Sequence, residues 1–319
     1  MSFEARSART STTGSSAGES VAVVVVTHDR ADLLAAMLDG IAAQTHAPDA
    51  VIVVDNASAD HTPEVLSQRI ARTDLPLEVI RQDNLGGAGG FHRGVRAAYD
   101  QGFDRVWLMD DDVVPAPGCL AALMAVDEDC LIAVREDLAG ALVEKAAVDF
   151  DLRNPLAIKP KRATVDSTYA DRASMPALVE VHNVAFEGFM ARRSVIEEVG
   201  FPDPSFFIFY DDAEYAVRAR RTGRRIWGVR DAVLVRQLDF NQQHDLSGWK
   251  GFYMYRNLFV VHLRHGENAL VRAKPWLITL AVVLLSPLRG GRAEARNVIR
   301  AMASARGMRR LTDSARPPR

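Results

Sequence analysis

The chain has 319 residues, enough for one large domain or two ordinary ones and for a full hydrophobic core. Hydrophobic residues make up 48% of it, as in soluble globular proteins, and 39 basic side chains are balanced by 41 acidic ones. This balance argues against a protein that binds nucleic acid. The two cysteines, Cys119 and Cys130, lie among alanines and leucines, which predicts buried free thiols in a reducing, cytosolic compartment.

Residues 1–19 form an N-terminal tail that we expect to be disordered. The tail is rich in Ser, Thr, Gly and Ala and lacks the apolar segment of a secretion signal. Beyond it, short apolar runs alternate with helical patterns. The predicted strands are residues 21–27, 51–55, 77–80 and 105–109, and the predicted helices are residues 31–44, 62–72 and about 91–99, the last after a glycine-rich turn. This alternation predicts βαβ units and an α/β fold with a mainly parallel sheet.

The second half of the chain is less regular. Residues 136–181 show no clear period, whereas DDAEYAVRARRTG, from Asp211, has the pattern of a helix that ends near Gly223. Residues 275–288 are strongly apolar but fewer than the roughly 20 residues that span a bilayer. Nine arginines and only two acidic residues follow them. An apolar helix followed by a basic one is typical of a membrane-surface anchor, and the alternative is a helix packed on the domain with a solvated basic tail.

The run MDDDVVP places three adjacent carboxylates at the end of the fourth predicted strand. Because side chains alternate along a strand, we expect Asp110 and Asp112 to face one way and Asp111 the other. Two carboxylates at the carboxyl end of a strand predict a site for a divalent cation, which would relieve their repulsion. A solvated acidic turn is the alternative interpretation.

Two further strand ends carry patterns that suit a ligand. The turn QDNLGGAGGF does not match the dinucleotide pattern G-x-G-x-x-G, since His92 stands where the third glycine is needed. Its glycines, among them Gly86 and Gly87, would still let backbone N–H groups approach phosphate or sugar oxygens, or would serve only a tight helix entry. Asp55, at the end of the second strand, would accept hydrogen bonds from a nucleobase or ribose, or would cap the following turn.

Aromatic residues accompany a second acidic pair, Asp211 and Asp212. These carboxylates follow FFIFY at the predicted start of a helix, where the aromatic residues would place them against a cavity. The structural alternative is a capping arrangement between Asp211 and Glu214. The motif WKGFYMYRN, from Trp249, is either the aromatic face of a packed helix or a surface for stacking on sugar rings.

Six motifs occur in a characteristic order: VVVVTHDR, VIVVDNAS, QDNLGGAGGFHRG, WLMDDDVVP, FFIFYDDAEYAVRARRTG and WKGFYMYRN. Together they resemble glycosyltransferase family 2, the inverting enzymes of the GT-A fold, and most closely the actinobacterial galactofuranosyltransferases of cell-wall galactan synthesis. The resemblance covers residues 21–263, with gaps in the middle. It implies a Rossmann-like GT-A domain over residues 20–265, with a mainly parallel sheet flanked by helices. Residues 266–319, beyond the resemblance, are expected to form a helical, basic C-terminal extension, for which membrane association and packing on the domain both stay open.

The resemblance also assigns roles to individual residues. Asp110 and Asp112 match the D-x-D motif that holds Mn²⁺ or Mg²⁺, and Asp212 matches the general base that deprotonates the acceptor hydroxyl. The expected donor-binding residues are Thr27, Arg30, Asp55, Asn84, Gly86, Gly87, Asp110, Asp111 and Arg236. The expected acceptor-binding residues are Phe186, Gly188, Phe189, Asp211 and Trp249.

One position departs from the family pattern. Where many relatives have a histidine as a third metal ligand, DAVLVRQ has Arg236. Arginine cannot bind a cation, but it can hold a diphosphate through its fork of donors. His244, a few residues later, is the alternative third ligand.

The expected activity is a metal-dependent, inverting transfer of galactofuranose from UDP-galactofuranose to a lipid-linked cell-wall glycan. The alternatives are rhamnosyl transfer from dTDP-rhamnose and a sugar-nucleotide-binding subunit without turnover. The expected partners are the nucleotide-sugar donor, the lipid-linked acceptor and the inner membrane surface, with self-association as an option and no nucleic acid. The expected location is cytoplasmic, peripheral on the inner face of the cell membrane.

Overall fold

The fold is a central β-sheet covered by helices on both faces, seen in a computed structural model that describes residues 18–157, 159–238, 246–288 and 291–318. The strands are β1 (Val21–Thr27), β2 (Ala50–Asp55), β3 (Leu77–Arg81), β4 (Arg105–Asp110), β5 (Val113–Pro115), β6 (Cys130–Glu136), β7 (Ala147–Phe150), β8 (Lys161–Thr164), β9 (Leu178–Val181), β10 (Phe189–Arg192) and β11 (Ile226–Arg236). Nine of them form the central sheet, in the order β3-β2-β1-β4-β10-β6-β11-β5 with β9 beside β11, while β7 and β8 form a separate hairpin.

The first half of the sheet is parallel, as the sequence predicts. Strands β3, β2, β1 and β4 are parallel neighbours, and every residue of β1 and β2 is buried. Val26 pairs with Val54 on one side and with Asp110 on the other, so β1, β2 and β4 end together. The β-branched runs therefore bring polar strand ends to one edge of the sheet.

The second half of the sheet is mixed. Strand β10 lies antiparallel between β4 and β6, and β11 runs parallel to β6 but antiparallel to β5 and β9. The pairing of β5 with β11 places Arg236 opposite Val113, next to the run of aspartates. The mixed half thus adds residues from distant parts of the chain to the edge where β1 and β4 end.

The helices are α1 (Ala31–Ala42), α2 (Thr62–Arg72), α3 (Gly86–Asp100), α4 (Cys119–Met124), α5 (Val165–Thr168), α6 (Arg193–Val199), α7 (Asp211–Arg221), α8 (Trp249–His265), α9 (Ala269–Leu285) and α10 (Gly291–Gly307). Helix α3 begins about five residues earlier than the sequence predicts, so the glycines lie in its first turns and not in a turn before it. Glycine is needed inside α3 because this helix packs closely on β1. A Cβ at Gly90 would lie 2.4 Å from Val26 Cγ1, and one at Gly94 would lie 2.3 Å from Val24 Cγ1.

Glu19, near the start of the described residues, is tied to this core. Glu19, assigned by sequence to the disordered tail, accepts hydrogen bonds from Arg105 (2.6 Å) and Arg192 (3.0 Å), because the fully buried Arg105 needs a counter-charge. The rest of the predicted tail, residues 1–17, lies outside the described residues. Cys119 and Cys130 are buried and free, which confirms the prediction of two unpaired thiols.

Helices α8, α9 and α10 pack on one another and share a hydrophobic cluster with residues of α7 such as Ala213 and Val217. This confirms a helical C-terminal extension, while the domain boundary at residue 265 stays a prediction. Helix α9 buries Val271, Pro275 and Val282 but exposes its other face. No helix in the described part of the chain is both long and apolar enough to cross a membrane.

Candidate active site

A cavity of about 580 Å³ opens at the edge where β1 and β4 end. Its carboxylates are Asp110, Asp111, Asp112, Glu187, Asp211 and Asp212, and its basic side chains include Arg30, Arg135, Lys145, Lys161, Arg236 and Lys250. The two acidic clusters come from different elements, the end of β4 and the start of α7. The fold therefore brings both acidic motifs of the sequence to one cavity.

Most of the residues that the sequence singled out line this cavity. They are Thr27, Arg30, Asn84, Gly86, Gly87, Asp110, Asp111, Asp112, Phe186, Asp211, Asp212, Arg236 and Trp249. Asp55, Gly188 and Phe189 do not line it. His244 lies outside the described residues.

The three aspartates share the cavity, which corrects the expectation that Asp111 faces the opposite way. Strand β4 ends at Asp110, so strand alternation no longer applies to the residues that follow. Asp111 accepts hydrogen bonds from Thr27 Oγ1 (2.8 Å) and from Arg30 Nη1 (2.9 Å). The same Arg30 nitrogen lies 3.2 Å from Asp112 Oδ2. Arg30 thus offsets part of the repulsion within the acidic run.

The carboxylates at this end of the cavity suit a divalent cation. Burial, and next the nearby charge of Glu187, raise the pKa of both Asp110 and Asp112. Asp112 Oδ1 is buried and has no hydrogen-bond partner among the described residues. A cation would favour the ionised carboxylates and give this oxygen a partner. No group of three or more His, Cys, Asp or Glu side chains in the described ranges is arranged to hold a metal by itself.

Glu187 is a cavity carboxylate that sequence reasoning missed. It accepts a hydrogen bond from the fully buried Arg135, which also binds Glu144, and it lies 3.4 Å from Arg236 Nη2. Burial raises the pKa of Glu187, but Arg135 and then Arg236 outweigh this and hold it below its usual value. A lone carboxylate in the apolar stretch NVAFEGFM was the sequence signal that could have found it.

The three predicted site residues that do not line the cavity have structural roles. Asp55 is 2% exposed, and its Oδ1 accepts from Ser58 N at 2.8 Å, so it caps the turn after β2, the alternative left open by the sequence. Phe189 is fully buried in the core of β10. Gly188 has φ of +98°, and a Cβ there would lie 2.5 Å from Leu234 Cδ1. Packing therefore explains both Gly188 and Phe189.

Asp211 and Asp212 begin α7, but they do not form the capping arrangement that the sequence suggested. The N-cap is Tyr210, with no side-chain cap, and Glu214 instead binds Arg218 (2.9 Å) and His265 (3.0 Å). Asp212 Oδ1 accepts from Ala213 N at 2.6 Å. The pKa of Asp212 is raised to about 6, chiefly by burial, although the Ala213 hydrogen bond and the Lys161 charge oppose the rise. Burial and the Asp212 charge raise the pKa of Asp211 well above its usual range.

Aromatic side chains form the wall of the cavity near α7. Phe207 and Tyr253 are stacked with their centroids 5.0 Å apart, and Trp249 meets Tyr253 edge-on at 6.0 Å. Trp249 is 59% exposed although it is large and apolar. Exposed, mutually supported rings beside buried carboxylates are a surface on which the apolar face of a sugar can stack.

Comparisons with known proteins identify the family. A protein-family model described as "Glycosyltransferase like family 2" matches residues 18–250 of the sequence. The galactofuranosyltransferase GlfT1 of Mycobacterium tuberculosis (strain ATCC 25618 / H37Rv) is 34% identical over 274 residues, which are 81% of this chain and 87% of that protein.

Solved structures show the same fold at lower identity. The mannosyltransferase PcManGT from Pyrobaculum calidifontis, in complex with GDP-Man and Mn²⁺, has a TM-score of 0.53 at 21% identity and matches 91% of this chain and 76% of its own. GalNAc-T7, with UDP, GalNAc and Mn²⁺, has a TM-score of 0.60 at 16% identity and matches 87% of this chain and 54% of its own. The motifs, the sheet and the cavity agree with these similarities, and the chain belongs to glycosyltransferase family 2, with the GT-A fold.

Proposed function

We propose that this glycosyltransferase is metal-dependent and inverting, and that it transfers galactofuranose from UDP-galactofuranose to a lipid-linked cell-wall glycan. The observation that carries the proposal is the meeting of two carboxylate clusters in one cavity: Asp110 to Asp112 from the end of β4, and Asp212 from the start of α7. One cluster suits the leaving diphosphate with its cation, and the other suits the attacking hydroxyl. The similarity to GlfT1 supports the choice of sugar.

The donor would bind at the end of the cavity near β1 and α3. Thr27, Arg30 and Asn84 supply polar groups there for the uridine and ribose, and Gly86 and Gly87 leave space for close approach of the ligand. Asp110 and Asp112 would hold Mn²⁺ or Mg²⁺, which neutralises charge on the departing diphosphate. His244 remains the proposed additional ligand. Arg236, beside the aspartates, would contact the diphosphate.

The acceptor would bind near Asp212 and the aromatic wall. Its hydroxyl oxygen attacks the anomeric carbon while the bond from that carbon to the diphosphate oxygen breaks, and the hydroxyl proton passes to the Asp212 carboxylate. A pKa of about 6 leaves Asp212 ionised at neutral pH yet basic enough to accept this proton. Trp249, Phe186 and Asp211, which line the same cavity, would contact the acceptor. A single displacement of this kind inverts the anomeric centre.

Lys161→Met is expected to move the acid limb of the kcat/KM profile upward by roughly half a pH unit. The base must be ionised, so activity rises with pH through the pKa of Asp212. Loss of the Lys161 charge raises that pKa, while Glu187, Arg135 and Asp211, which also face Asp212, stay in place. The measurement is a pH–rate profile with saturating metal.

The matched control is Arg162→Met, on the same strand. Arg162 contacts Asp149 (3.8 Å) and Asp151 (3.3 Å) and does not line the cavity, so its loss should leave the profile in place. An equal shift in both variants, or none in Lys161→Met, would contradict the proposed tuning of Asp212.

The lipid-linked acceptor requires contact with a membrane, and the C-terminal helices offer a surface for it. The exposed face of α9 is an apolar stripe, formed by Leu270, Trp276, Leu277, Leu280, Leu284 and Leu285. Beside it, α10 exposes Arg292, Arg296 and Arg300. Glu294, the only acidic residue between positions 269 and 312, is buried and accepts from Tyr255 Oη at 2.6 Å. Apolar and cationic groups together fit an anionic bilayer surface.

Replacing Leu277 and Leu284 by Asp is expected to weaken binding to vesicles that contain anionic lipid by about 10-fold or more. The variant loses the free energy of burying two leucine side chains in the bilayer surface. Cosedimentation measures this, and Leu138→Asp, at a 72% exposed leucine in another part of the chain, is the control. Wild-type protein that does not bind anionic vesicles better than neutral ones would refute the membrane surface.

The decisive test of the proposed function is a panel of nucleotide sugars with purified protein, Mn²⁺ and a lipid-linked acceptor. UDP-galactofuranose should release UDP fastest and extend the acceptor. Faster turnover of dTDP-rhamnose would replace the donor assignment. Tight UDP binding without turnover of any donor would favour a binding subunit instead.

A further inference from the structure

The segment between the 3₁₀ turn Pro204–Phe206 and α7 has an unusual backbone. Phe207, Phe209 and Tyr210 all have positive φ, between 66° and 67°, a region that bulky residues rarely occupy. This segment forms part of the cavity wall and leads directly into Asp211 and Asp212. Backbone of this kind persists only where surrounding contacts hold it, and such strain concentrates at functional sites.

Two adjacent residues of α8 supply those contacts. The Nδ2 group of Asn257, which is fully buried, lies within hydrogen-bond distance of the carbonyl oxygens of Phe206 (3.0 Å), Ile208 (2.7 Å) and Phe209 (2.9 Å). Arg256 Nη2 donates to the carbonyls of Ser205 (2.8 Å) and Phe206 (2.6 Å). Arg256 Nε donates to Asn257 Oδ1 at 2.8 Å, so each side chain orients the other.

The segment also touches the donor end of the cavity. Ala88 N donates to the Phe207 carbonyl at 3.2 Å, and a Cβ at Gly86 would lie 2.1 Å from the same oxygen. The strained segment therefore bridges the glycines of α3 and the carboxylates of α7. The segment is neither helix nor strand, so its backbone carbonyl oxygens find no hydrogen-bond donors in regular secondary structure. The side chains of Arg256 and Asn257 on α8 donate to them instead.

We infer that Arg256 and Asn257 are positioning residues that hold residues 206–210 in this conformation and so aim Asp212 at the acceptor. The inference rests on the proposed role of Asp212. Neither side chain lines the cavity, so neither meets substrate directly. Their removal should affect the rate of the transfer step more than the binding of nucleotide.

The test is Asn257→Ala, with Gln44→Ala as the matched control. Gln44 is also a buried amide whose Nε2 donates to backbone carbonyls, at Gly40 (3.0 Å) and Ala116 (2.8 Å), but it does not line the cavity. We expect Asn257→Ala to speed amide hydrogen exchange in residues 206–213 and to lower kcat at least tenfold, with the UDP dissociation constant within about threefold of wild type. Gln44→Ala should lower the melting temperature without lowering kcat.

Arg256→Lys is a second, more conservative variant, which tests the inference even if Asn257→Ala does not fold. Arg256→Lys retains the charge but loses the fork that reaches Asn257 and two carbonyls at once, so its kcat should fall between those of wild type and Asn257→Ala. Unchanged exchange in Asn257→Ala, unchanged kcat, or an equal loss of kcat in Gln44→Ala would overturn the inference. Asp212→Asn measured in parallel separates the two claims: turnover within a few-fold of wild type there would refute the proposed role of Asp212 as base, while the exchange data still decide whether Arg256 and Asn257 hold the segment.

Discussion

Replacing Asp212 by Asn is expected to lower kcat by about 100- to 10,000-fold, the range that a positioned general base contributes. The amide keeps the shape of the side chain and its place at the start of α7, but it cannot accept the proton of the acceptor hydroxyl. Binding of UDP should change little, because the donor end of the cavity is built by β1, α3 and β4. The measurement pairs steady-state UDP release with UDP binding by calorimetry.

The control for this variant is Asp231→Asn. Asp231 is an exposed aspartate whose Oδ1 lies 2.9 Å from Nε of its neighbour Arg230, and it does not line the cavity. It undergoes the same chemical change without contact to the site, so its kcat should match that of wild type. Turnover of Asp212→Asn within a few-fold of wild type would remove Asp212 from the role of base.

Asp112→Ala is expected to weaken Mn²⁺-dependent binding of UDP by about 100-fold, since even residues that only support metal ligands contribute 10- to 100-fold in metal affinity. Binding measured in chelator should be the same as for wild type. Folding stability should not fall, because burial and Glu187 already disfavour the charged form of this carboxylate. UDP titrations with and without Mn²⁺, together with a melting curve, give all three values.

Asp32→Ala serves as the comparison, because Asp32 is an exposed aspartate of α1 that contacts only His61 among the ion pairs of the described residues. Its UDP affinity should be unchanged with and without Mn²⁺. If Asp112→Ala bound UDP as tightly as wild type in the presence of Mn²⁺, the aspartates of β4 would not be the metal site.

The acidic run illustrates how far local sequence reasoning reaches. A buried strand followed by DDD correctly placed carboxylates at an edge of the sheet, because strand length and burial follow from a continuous β-branched pattern. The predicted orientation of Asp111 was wrong. It depends on where β4 stops and on the contacts with Thr27 and Arg30, which lie some 80 positions earlier, at the end of β1. Alternation is a property of a strand, and it does not extend into the turn that follows.

The predicted acceptor-binding residues show where local sequence reasoning fails. The motif FEGF suggested three contact residues, yet only Phe186 lines the cavity, while β10 directs Phe189 into the core and Gly188 against Leu234. Glu187, between them, is the polar residue that reaches the cavity. A motif fixes the order of residues along the chain, but the antiparallel insertion of β10 between β4 and β6 decides which of them face the site.

By itself, the sequence determined the family, the parallel half of the sheet, the two acidic clusters and the helical, basic C-terminus, because each depends on residues close together in the chain. Only the tertiary structure decided which charges share the cavity. Lys161 beside Asp212, Arg135 beneath Glu187, and Asn257 against residues 206–209 are contacts across about 50 positions. Such contacts arise from the packing of whole elements, and no local pattern of hydrophobicity or spacing encodes them.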